Sequence, residues 1–83
     1  MTYQIKIKPD VEKQLNKLPK KDQTRIYEAF YSLSREPMSG KKLSGEYKDF
    51  YSYKVWPYRI IYTIIKRELL IIIVKVGHRQ GVY

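Results

Sequence analysis

Toward the end of the chain, one histidine, one arginine and one tyrosine fall within six residues, in Gly77-His78-Arg79-Gln80-Gly81-Val82-Tyr83. His78 is the only histidine. Upstream, Lys54 and Arg59 flank Trp56-Pro57. If a hairpin turn is centred between Trp56 and Pro57, Val55 faces Tyr58 and Lys54 faces Arg59, and directly opposed residues point to the same side of a sheet. Like charges so placed repel. The pair is kept cheaply if both side chains splay into water, or if an anion bridges them.

If the closing segment folds back over that face, Lys54, Arg59, His78, Arg79 and Tyr83 would surround one phosphodiester. A 2′-hydroxyl would be deprotonated and attack the adjacent phosphorus. Cations would stabilise the dianionic transition state, and an acid would protonate the departing 5′-oxygen. Histidine moves protons near neutral pH, arginine offers a planar fork for phosphate, and tyrosine can stack on a base. The other reading is a polar tail with an exposed histidine. No metal site is expected, since one histidine without a carboxylate cluster is not a ligand set, and no cofactor is expected. The chain has no Gly-rich phosphate loop, Walker pattern or Ser-His-Asp set.

These residues need a scaffold, and the patterning supplies one. Tyr3-Gln4-Ile5-Lys6-Ile7-Lys8 alternates apolar and polar as a half-buried strand does. Val11, Leu15 and Leu18 form one helical stripe, and Ile26, Phe30 and Leu33 another. Asp22 suits the cap or first turn of the second helix. The break at Leu18-Pro19-Lys20 predicts a helical hairpin. Residues 35–49, with Pro37, Gly40 and Gly45, read as a loop with a short extended piece near Lys42-Leu43. Three strands follow over residues 50–56, 58–65 and 69–76, with a turn at Lys66-Arg67. The expected fold is α+β, in the order β-α-α-β-β-β. The helical hairpin covers one face of an antiparallel sheet, and the first strand pairs with a later one.

At 83 residues the chain is expected to be one domain over 1–83. The net charge of +9 favours polyanions, with nucleic acid first, an acidic protein second and a membrane surface third. A basic surface that only confers solubility is the alternative. Nine tyrosines are many for this length, and most are expected to be packing. The absence of cysteine excludes disulfides and thiolate chemistry and fits the reducing cytoplasm. The N-terminus has no apolar signal core, and the run Leu69 to Val74 is far too short to span a bilayer.

Five segments together resemble the RelE/ParE toxin superfamily of type II toxin–antitoxin systems. They are the opening strand, Leu15-Asn16-Lys17-Leu18-Pro19, Lys42-Leu43-Ser44-Gly45, Tyr58-Arg59-Ile60-Ile61-Tyr62, and Val76-Gly77-His78-Arg79…Val82-Tyr83. The resemblance implies a metal-independent endoribonuclease that enters the ribosomal A site and cleaves mRNA, and a cognate antitoxin that wraps it. It also implies roles for individual residues. Lys54 is a basic position of the strand before the Tyr-Arg segment, and Arg59 holds the scissile phosphate. Arg79 supports transition-state charge, Tyr83 stacks on substrate or transfers a proton, and His78 stands where members carry His or Lys. The chain departs from the pattern at Ser52, where many members have a second basic residue, at Trp56-Pro57 in place of a Gly-acidic pair, and in ending at Tyr83 with no C-terminal helix. The Ser52 departure leaves Lys54 and His78 both open as the general base. Two other readings belong to the same fold: a gyrase-poisoning, non-enzymatic branch, and a basic binding module without catalysis.

Overall fold

In a computed structural model, which describes residues 2–78, the alternation of the first segment becomes β1 (Gln4–Ile7), with Ile5 and Ile7 turned toward the core. Pro9 opens α1 (Pro9–Asn16), since its fixed φ and missing N–H suit a first helical turn. Pro19 then separates α1 from α2 (Lys20–Arg35), and its carbonyl accepts the Asp22 and Gln23 amides. Asp22 makes no side-chain cap; it lies in the first turn of α2, where its charge complements the helix dipole. Val11, Leu15, Ile26, Phe30 and Leu33 are all buried, so both helical stripes face the sheet.

The rest of the chain forms β2 (Lys41–Lys42), β3 (Tyr51–Val55), β4 (Tyr58–Ile65) and β5 (Leu70–His78), in a five-stranded sheet of order β1-β5-β4-β3-β2. The α+β architecture, with the helices on one face, is as expected. β2 answers to the extended piece read near Lys42-Leu43, one residue earlier. The sheet is not wholly antiparallel, because β1 runs parallel to β5. No hairpin joins these two strands, so no turn dictates their relative direction.

The ladder fixes which side chains share a face. Tyr51, Tyr58, Ile60, Tyr62, Ile71, Ile73 and Val76 meet the helices in one buried cluster. The opposite, open face carries Lys41, Ser52, Lys54, Arg59, Ile61 and Lys75 by register. One irregularity interrupts β5: Ile61 pairs with Lys75 and Tyr62 with Ile73, so Val74 is an extra, bulged residue. A one-residue shift exchanges the two faces of a strand. The bulge therefore places Val76 and His78 on the helix face together with Ile71 and Ile73. Gly77 stays in the ladder opposite Arg59.

Candidate active site

The turn at Trp56-Pro57, whose peptide bond is cis, sets the β3–β4 register. Val55 pairs with Tyr58, and Lys54 pairs with Arg59. Lys54 is exposed, whereas Arg59 is half-buried with its Nε atom shielded from solvent. Both belong to a cleft of about 490 Å³ at the β2–β3 edge, lined by Ser39, Lys41, Leu43, Ser52, Tyr53, Lys54 and Arg59. Three of these residues are cations and none is a carboxylate, so the cleft suits an anion. Ser52 is only 8% exposed and lies at the cleft floor.

The loop leading into β2 is held from beneath by Tyr62. Its side chain is fully buried, and its hydroxyl donates to the Pro37 carbonyl at 2.7 Å and accepts the Gly40 amide at 3.0 Å. Burial pushes this hydroxyl's pKa up to about 12, partly offset by the Gly40 bond. A Cβ at Gly40 would overlap the Tyr62 hydroxyl and press within 3.0 Å of the Ser52 carbonyl oxygen, so only glycine fits this approach. The fit sets where Lys41 enters the sheet.

His78 lies elsewhere. Its register partner is Tyr58, and the two rings meet edge to face with centroids 5.4 Å apart. The Tyr58 hydroxyl donates to Asp22 Oδ2 at 2.7 Å, which ties β4 to the first turn of α2. That bond, followed by burial, raises the Tyr58 pKa above the usual tyrosine value. Arg25 approaches Asp22 at 4.0 Å. The described geometry thus gathers Lys54 and Arg59 on the open face and puts His78 on the opposite one. The physical reason is the Val74 bulge, which reverses the side taken by the end of β5. Arg79 and Tyr83 lie outside the described residues.

Two features escaped the sequence reading. Lys41 is the register partner of Ser52 and therefore shares its face. The sequence predicts an extended piece there, but only alternation counted from the Ser52 pairing tells which lysine lines the cleft. The Tyr58–Asp22 bond spans 36 residues and left no local signal.

Comparison with known proteins places the fold and the sequence in a family. A family model described as the ParE toxin of type II toxin-antitoxin system, parDE, matches residues 5–83. The protein named Toxin RelG of Mycobacterium tuberculosis is 33% identical over 85 residues, covering 100% of this chain and 98% of that protein. The toxin-antitoxin complex RelBE2 from the same organism contains a chain superposing with a TM-score of 0.87 at 32% identity, over 95% of this chain and 100% of that one. A chain of the archaeal RelE-RelB complex from Pyrococcus horikoshii OT3 gives 0.84 at 33% identity, over 98% and 99%. A family match over nearly the whole sequence, and a relative at this identity along its full length, establish that the chain belongs to the RelE/ParE superfamily of type II toxin–antitoxin toxins.

Proposed function

We propose that this toxin is a ribosome-dependent endoribonuclease that cleaves mRNA by attack of a 2′-hydroxyl on the adjacent phosphate. The observation that carries this reading is the Lys54–Arg59 register pair on the open face, inside a cleft without carboxylates. Two cations held by a rigid hairpin are positioned for a charge that grows in the transition state, and preorganised charge is the largest contribution available to such a reaction. Arg59, half-buried, holds the scissile phosphate, and Lys54 stands beside it at the open rim. By the family resemblance, Arg79 adds transition-state charge and Tyr83 stacks on the substrate or transfers a proton.

A cognate antitoxin is the second partner. Both solved relatives named above are complexes of RelE-type toxins with their antitoxins. The +9 charge of this chain favours an acidic segment laid across the cationic face. Among the described residues, no helix is long and apolar enough to cross a membrane.

The test is translation in vitro with the purified protein, followed by primer extension on the mRNA. The expected result is cuts with codon periodicity that appear only on translated message. A second reading has one observation in its favour, the family model's own description as a ParE toxin. Intact mRNA together with blocked DNA supercoiling by gyrase would replace the first reading with that one.

A further inference from the structure

Lys41 is the candidate for the cation that Ser52 does not supply. Directly opposed residues of an antiparallel pair project to the same side with Cβ atoms roughly 5 Å apart. Lys41 opposes Ser52 across β2–β3, and Ser52 opposes Ile61 across β3–β4. Two residues along β3 on that face comes Lys54, opposed to Arg59. A serine, short and 8% exposed, leaves room above the cleft floor, and the exposed Lys41 stem has the reach to fill it. The adjacent Lys42 pairs with Tyr51 and so belongs to the other face.

We propose that Lys41 is a substrate-binding residue that completes a three-cation cradle with Lys54 and Arg59 for the backbone phosphates of single-stranded RNA. Lys41 stands directly across the strand pair from Ser52, the position where the family resemblance implies a basic residue. The Gly40–Tyr62 contact is what holds it there, since Gly40 immediately precedes Lys41 and its amide is bonded to the Tyr62 hydroxyl at 3.0 Å. Lys41 is a separate element of the site and not a duplicate of Lys54, because it stands on the edge strand β2 and Lys54 on β3. The inference rests on the reading of this cleft as an RNA site.

The experiment measures binding of a fluorescent, 2′-deoxy-substituted and therefore uncleavable RNA hexamer across a salt series. Each lysine–phosphate contact on a single strand contributes about 0.7 to the slope of log affinity against log salt. Lys41→Ala should make the slope shallower by about 0.7 and weaken binding about tenfold at the lowest salt. Lys41→Arg should keep the wild-type slope, and Lys42→Ala should match wild type. If Lys41→Ala matches wild type while Lys54→Ala loses slope, Lys41 is an ordinary surface lysine and the inference fails alone. If neither variant loses slope, the cleft does not hold the phosphates of free RNA and the inference fails, whereas the functional reading falls only if translated mRNA stays intact in the primer-extension assay.

Discussion

His78 packs edge-on against Tyr58, on the face of the sheet opposite Arg59. The two residues therefore differ in what their removal should do. Arg59→Ala should slow mRNA cleavage by on the order of a hundredfold or more, the usual cost of losing a preorganised charge contact. Lys54→Ala should act in the same direction. His78→Ala should slow it by less than about tenfold and leave the shape of the pH–rate profile intact, because a base must reach the proton it removes. Single-turnover cleavage on programmed ribosomes checks the comparison. A His78→Ala loss as large as that of Arg59→Ala would restore histidine to the site.

The Tyr58–Asp22 bond should show up as coupling between β4 and α2. A hydrogen bond to a charged partner contributes roughly 1.5–3 kcal/mol, and partial exposure moves this one toward the lower end. In urea unfolding of Tyr58→Phe, Asp22→Asn and the double variant, the two changes should add to more than the double change by about 1 kcal/mol. Strict additivity would mean that the contact contributes nothing to stability.

Tyr62 gives the fold an alkaline limit. Its pKa is raised in the folded state to about 12, from an unfolded value of 10.0, so folding favours the protonated hydroxyl. The stabilisation is fully present below the unfolded pKa and is lost as pH rises through the folded one. Below pH of about 10, Tyr62→Phe should be less stable than wild type by about 1–3 kcal/mol, because the Gly40 amide and the Pro37 carbonyl lose their partner. That gap should narrow as pH climbs from about 10 toward about 12, since phenylalanine does not titrate. Chemical denaturation of both proteins across this range reads the gap directly.

Gly40→Ala tests the same contact by steric means. The new methyl meets the Tyr62 hydroxyl and the Ser52 carbonyl oxygen. Overpacking at a tight site costs roughly 1–3 kcal/mol. Removing the hydroxyl should relieve part of the clash, so Gly40→Ala should cost less in a Tyr62→Phe background than in wild type. Equal costs in both backgrounds would place the strain on the Tyr62 ring edge and the Ser52 carbonyl, which both backgrounds keep.

The hairpin register was legible in the sequence because Trp56-Pro57 is a short turn between two clear strands, and a turn of fixed length leaves one pairing. The Lys54–Arg59 opposition follows from that alone. The helical stripes were equally plain, since Val11, Leu15, Ile26, Phe30 and Leu33 recur at helical spacing with polar residues between them. β5 was different. Its residues from Leu70 to Val74 are apolar on both faces, so no alternation marks the extra residue at Val74. Read without the bulge, His78 falls on the same side as Arg59; with it, His78 meets Tyr58. The direction of β1 was hidden for a related reason, as its neighbour in the sheet lies more than sixty residues away along the chain.

That distance orders the assembly of the molecule. Gln4 to Ile7 find their ladder only in Leu70 to Ile73, and the Lys8 amide bonds the Ile73 carbonyl at 3.3 Å. During synthesis the helices, β3 and β4 can associate while β1 still has no neighbour. Pairing across so much chain is slow, because loop closure precedes its reward. A nascent chain stopped before residue 70 would carry an unmatched first strand and an uncovered flank on β4. The first strand made is thus the last to close the sheet, and the fold is complete only after the ribosome has read nearly the whole of the described sequence.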